Sequence, residues 1–123
     1  MQKEETIKIV KPLVTYMERA KGWHVENIHG SQFQEGLPDL YAMHPKYSPK
    51  WIECKVIRNG NISFTPAQKR KFPIFVANNV PTWVIAGYDL RDSLELHRAY
   101  QSLFKEPNLG YFLNPITRKL WLQ

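Results

Sequence analysis

Trp51-Ile52-Glu53-Cys54-Lys55-Val56-Ile57 decides how this chain is read. A run rich in β-branched and aromatic residues, closed by Asn59-Gly60-Asn61, predicts a strand followed by a tight turn. Alternate side chains of a strand point to opposite faces, so Ile52, Cys54 and Val56 share an apolar one. Glu53 and Lys55 share the other with Trp51 and Ile57. Charges taken out of water are costly unless they are paired or bind a metal. Two readings follow from the strand alone: an edge strand with a solvated outer face, or a central strand carrying a site.

Outward from this strand, helix and strand signals alternate. Ile7, Val10, Val14 and Met17 recur at helical spacing and predict a helix over residues 4–21, which Pro12 kinks or restarts and Gly22 stops. Residues 23–28 and 39–43 suit strands, residues 30–38 a loop, and residues 44–50 a turn containing Pro45 and Pro49. Thr65-Pro66 opens a second helix by cap and first-turn logic, and Pro73 is expected to break or kink it. Residues 82–86 read as a buried strand, residues 88–104 turn helical in their later part, and residues 111–122 suggest a terminal strand pair. The fold class expected is α/β (α+β), one mixed sheet flanked by helices, in a single domain spanning residues 1–123.

Composition narrows the function. The 123 residues are 43% hydrophobic and 23% charged, as in ordinary folded proteins. Cys54 is the single cysteine, which rules out an intramolecular disulfide and a cysteine-based zinc cage. No apolar run is long enough for a membrane span, and no apolar segment follows the N-terminus as in a secretory signal, so an intracellular, cytoplasmic protein with no membrane partner is expected. Lys and Arg number 17 against 11 Asp and Glu, a net +6. All of that surplus lies in residues 46–71, where seven basic residues face Glu53 alone. An anionic partner is expected there.

Pro38-Asp39 stands 14 residues before Glu53 and opens its own strand. If the two strands are neighbours, Asp39 lies beside Glu53, and two converging carboxylates repel unless a cation sits between them. Oxygen ligands without His or Cys suit Mg²⁺, with Mn²⁺ as a substitute. A lysine at such a site can hold a water or steady charge on a phosphate.

Gly36-Leu37-Pro38-Asp39-Leu40, Trp51-Ile52-Glu53-Cys54-Lys55 and Phe64-Thr65-Pro66-Ala67-Gln68, in that order, resemble the PD-(D/E)xK nuclease superfamily. Within it they are most similar to the small VRR-NUC and Holliday-junction-resolvase-like nucleases, often phage-encoded. The resemblance covers residues 4–87 and leaves 88–123 as a C-terminal extension. It implies a restriction-endonuclease-like core in the order αβββαβ and a Mg²⁺-dependent DNA endonuclease selective for branched DNA, acting as a homodimer in the cytoplasm (the host's, if phage-encoded). It makes Asp39 and Glu53 the metal-binding carboxylates, with the main-chain carbonyl of Cys54 a further ligand. It makes Lys55 the catalytic lysine, Gln68 a helix-borne partner, and a glutamate on the first helix a further member. Glu5 is the best placed for that role, with Glu4 and Glu18 as alternatives. Lys50, Arg58, Lys69, Arg70 and Lys71, with Ser31 and Gln32 (and His29) in the loop before Asp39, are the expected DNA contacts. The alternative function is a non-catalytic DNA-binding module on the same scaffold.

Overall fold

The computed structural model describes residues 3–28 and 35–104. The terminal strand pair expected over residues 111–122, and His29, Ser31 and Gln32, lie outside the described residues. Four strands form one sheet in the order β1 (His24–Asn27), β2 (Leu40–Met43), β3 (Lys50–Val56) and β4 (Thr82–Gly87). β1–β2 and β2–β3 are antiparallel, and β3–β4 is parallel. A parallel neighbour needs a crossover, and the helix between β3 and β4 supplies it. The architecture is thus a mixed α+β fold around an open four-stranded mixed sheet.

The N-terminal helix is continuous but not uniform. An α-helical turn, α1 (Lys3–Glu5), passes into a π-helical turn (Thr6–Val10) and then into α2 (Lys11–Lys21). Pro12 explains the irregularity: it has no N–H for the carbonyl of Lys8 and its ring would crowd that carbonyl. The Lys11 amide reaches back to the Thr6 carbonyl, and the Lys8 carbonyl accepts the Leu90 amide at 2.7 Å. α2 then begins at Lys11 with Pro12 in its first turn, and the π-helical turn before it takes in one extra residue. α2 stops where Gly22 takes the left-handed conformation at φ 77°.

α3 (Pro66–Ala77) has Thr65 as its N-cap, and the full capping box is present. Thr65 Oγ1 accepts the Gln68 amide at 3.1 Å, and Gln68 Oε1 accepts the Thr65 amide at 3.0 Å. Of the break or kink expected at Pro73, the break does not occur: α3 continues through it. Pro73 is exposed, as is Lys69, whose carbonyl it leaves without a helical donor, so water can serve that carbonyl.

Both sheet faces are covered. Leu40, Ile52, Cys54, Trp83 and Ile85 join Ile9, Leu13 and Met17 of the N-terminal helix in the main core. Val84, on the opposite face of β4, packs with Phe72 of α3, flanked by Phe64 and Phe75. Leu90 and, from α4 (Ser93–Ser102) and its cap, Ala99, Tyr100 and Leu103 belong to the same main core. Among the described residues no helix is long and apolar enough to cross a membrane.

Candidate active site

The β2–β3 register brings the acids together. Leu40 pairs with Ile52, so the next step along the ladder sets Asp39 opposite Glu53. The Asp39 amide donates to Glu53 Oε1 at 3.2 Å, and the Cys54 amide donates to Asp39 Oδ2 at 3.2 Å. Each acid is thereby fixed by the other's strand. Both are buried, at 7% and 3% exposure, which excludes a solvated outer face for β3 at this point.

α3 closes the cluster from the other side. The same Gln68 that completes the capping box donates from Nε2 to Glu53 Oε2 at 3.1 Å and accepts from Lys55 Nζ at 3.0 Å. Lys55 Nζ lies 3.4 Å from Glu53 Oε2 and 5.1 Å from the centre of the Phe64 ring. A planar amide held by its own helix end therefore sets the spacing of an acid and a base two residues apart on β3. The local sequence rule for a helix start and the site geometry have one residue in common.

The electrostatics are strained in one direction. Burial pushes the Glu53 carboxyl up to about 8, and the neighbouring Asp39 adds to the rise; Lys55 opposes it without cancelling it. Burial likewise raises the Glu5 carboxyl, with Lys55 opposing and Asp39 adding. Glu5 thus lies within the field of Asp39, Lys55 and Glu53. Glu4 points elsewhere: its carboxylate takes Arg58 at 2.7 Å and Lys8 at 3.1 Å. Glu18 is also apart, accepting the Val25 amide at 3.3 Å.

Oxygen donors alone gather here: the carboxylates of Asp39 and Glu53, with the main chain at Cys54 alongside. That chemistry fits a small hard cation, which would relieve the mutual repulsion of the acids. Among the described residues no group of three or more His, Cys, Asp and Glu side chains is poised to hold a metal. The Cys54 side chain itself is fully buried and its thiol is pushed well up by burial, as befits a core residue and not a nucleophile.

No protein-family model, curated protein or solved structure matches this chain. The site is therefore read from its own geometry.

The expected DNA contacts divide. Lys69 and Arg70 are exposed on α3. Lys71 is half-buried, with its ammonium on the Glu35 carbonyl, and Arg58 is paired with Glu4. Lys50 departs from the expectation. It is buried, its ammonium 5.7 Å from the Trp83 ring centre and 5.5 Å from that of Phe104, and burial lowers its pKa. Two aromatic rings close over the first residue of β3, so Lys50 is not part of an outward-facing phosphate patch.

Two positions quoted within the motifs were given no role of their own. Phe64 borders the Lys55 ammonium, although only its place before Thr65 marked it. Gly36 has φ 81°, and a Cβ there would stand 3.0 Å from both the Ala67 Cβ and its carbonyl oxygen. The loop leading to Asp39 thus lies directly on the first turn of α3, where Gln68 resides. A glycine three residues before an aspartate was the available signal.

Proposed function

We propose that this chain is a metal-dependent DNA endonuclease of the PD-(D/E)xK type, hydrolysing phosphodiester bonds on a restriction-endonuclease-like core. One observation carries the reading. Asp39, Glu53, Lys55 and Gln68 form a single buried hydrogen-bonded network, built from two adjacent strands and a helix N-terminus.

In this reading Asp39 and Glu53, with the Cys54 carbonyl, hold Mg²⁺ or Mn²⁺. The bound cation supplies charge neutralisation at the phosphate and a water of lowered pKa. The protein's own groups do the positioning. Lys55, steadied by Gln68 Oε1, points an N–H at the attacking water or a non-bridging phosphate oxygen. Gln68 fixes the Lys55–Glu53 pair, accepting from one and donating to the other, and Glu5 adds a carboxylate that orients water. Hydrolysis places the hydroxyl on phosphorus, breaks one P–O ester bond and returns a proton to the departing sugar oxygen. Lys69 and Arg70 supply phosphate contacts, which make binding steeply salt-dependent. One domain holds one such network, so cutting both strands of a duplex or junction requires two copies of the chain. Its place of action would be intracellular DNA.

The test is incubation of supercoiled, linear and four-way-junction DNA with Mg²⁺, Mn²⁺ or EDTA, comparing the protein with Asp39→Ala. Cleavage that needs the cation and disappears in Asp39→Ala is the expected result. Cleavage in EDTA, or undiminished in Asp39→Ala, overturns the reading, and DNA binding without cleavage makes the chain a binding module.

A further inference from the structure

A cleft of about 480 Å³ opens at the far end of the β2–β3 hairpin, lined by Lys21, His44, Lys46, Tyr47, Tyr100 and Phe104 among others. Its walls are aromatic. The Tyr47 ring stacks on Trp23 at 5.8 Å between centres with planes 15° apart, and Tyr47 is still 46% exposed. Phe104 meets Tyr47 edge-on at 5.0 Å and Tyr100 at 5.3 Å. The Lys21 ammonium lies 5.5 Å from the Tyr100 ring centre, and Lys46 is exposed at the rim. Among the described residues no acidic side chain lines the cleft. Flat rings with cations and no anion are complementary to a ligand that is itself a flat ring carrying negative charge.

We propose that this cleft binds an unpaired nucleotide of a DNA single strand, its base stacked on Tyr47 and its phosphate held by Lys21 and Lys46. The placement gives the cleft a relation to the network around Asp39. β2 separates His44 from Asp39, and at ~3.4 Å per residue the two lie about 17 Å apart along the strand. A single strand held at both would run along the hairpin, and the substrate class would be DNA with a single-stranded segment. That link rests on the nuclease reading; the binding itself does not.

The experiment is fluorescence anisotropy in EDTA, where no cation-dependent cleavage occurs. It uses the full chain and a labelled 12-residue oligothymidylate, with duplex of equal length and free thymidine monophosphate as competitors. Tyr47→Ala should weaken oligothymidylate binding roughly ten- to hundredfold, the range expected for losing one stacked base, and Lys46→Glu should weaken it at least roughly threefold by replacing a phosphate contact with a repelling charge. Tyr47→Phe should retain it, and duplex binding should change by less than about twofold. Lys46→Glu alters an exposed side chain, so its result stands even if Tyr47→Ala disturbs packing. Oligothymidylate binding unchanged in Lys46→Glu and Tyr47→Ala overturns the proposal, as does an equal loss for duplex. Thymidine monophosphate competing as well as the oligonucleotide overturns the strand assignment in favour of a free nucleotide. A protein that binds oligothymidylate in this way yet never cleaves DNA refutes the nuclease reading alone.

Discussion

Gln68 holds Glu53 by its side-chain amide at 3.1 Å while the same side chain closes the N-cap of α3. Fold and site are therefore coupled through one residue. A change at Gln68 should be felt in both, and the two effects can be separated by the choice of replacement.

Gln68→Ala removes the reciprocal cap bond and the amide that bridges Lys55 and Glu53. It should cost about 1 kcal/mol of stability and lower cleavage at least roughly tenfold. Gln68→Glu keeps a capping-box acceptor but replaces the N–H that faces Glu53 with a third carboxylate oxygen pair. It should retain more of the stability than Gln68→Ala and lose as much cleavage or more. Chemical denaturation and single-turnover cleavage read the two separately. Equal stability losses in both variants would show that the box contributes nothing.

Glu53 makes stability depend on pH. Its carboxyl titrates near its ordinary 4.5 when unfolded and at about 8 in the fold. Below 4.5 both states carry the proton. Between 4.5 and about 8 the fold keeps a proton that the unfolded chain has lost, so stability falls as pH rises through this window. Thermal melting in EDTA should show that fall, and Glu53→Gln should flatten it. Because a cation binds the ionised form, Mg²⁺ should raise the melting temperature more at pH 8 than at pH 6. A larger rise at pH 6 would place the cation elsewhere.

Gly36→Ala sets a Cβ against Ala67 and requires a left-handed backbone of a residue that disfavours it. The expected loss is about 1–3 kcal/mol, measured by denaturant unfolding. Since this loop leads to Asp39, cleavage at a temperature where the variant is folded should fall as well. A variant as stable and active as the parent would mean that the loop can lift from α3 without consequence.

The basic residues should not behave alike. Lys69→Glu with Arg70→Glu should weaken duplex binding and reduce the slope of log affinity against log salt by roughly 2, one for each lost phosphate contact. Lys50→Met should leave both unchanged, because its ammonium lies against rings and its pKa is already lowered by burial. Filter binding across a salt series decides. A shallower slope in Lys50→Met would mean that the side chain swings out to reach DNA.

What could be read from sequence was whatever depends on nearby residues. Alternation along residues 51–57 set Glu53 and Lys55 on one face, and the Thr65-Pro66 start with Gln68 three residues on defines a capping box by spacing alone. The β2–β3 pairing needed only a short turn between two strands, so Asp39 falls opposite Glu53. What sequence could not give depends on distant partners. The burial of Lys50 needs Trp83 and Phe104, and the engagement of Arg58 needs Glu4, 54 residues away. Net charge per segment is blind to both, so the +6 of residues 46–71 overstates the charge offered outward. Pro73 shows a local rule failing for a physical reason, since a helix face open to water tolerates the lost bond.

The π-helical turn at Thr6–Val10 works as an angular pin. Each residue of an α-helix advances about 100° around its axis. Were these five residues to tighten to α geometry with none removed, everything upstream would rotate by about that much against Leu13 and Met17, and Glu5 would swing off the cluster. The pin is held by Pro12 on one side and by the Leu90 amide on the Lys8 carbonyl on the other. A single backbone hydrogen bond from the segment that follows β4 thus bears on the angle at which the first helix presents Glu5.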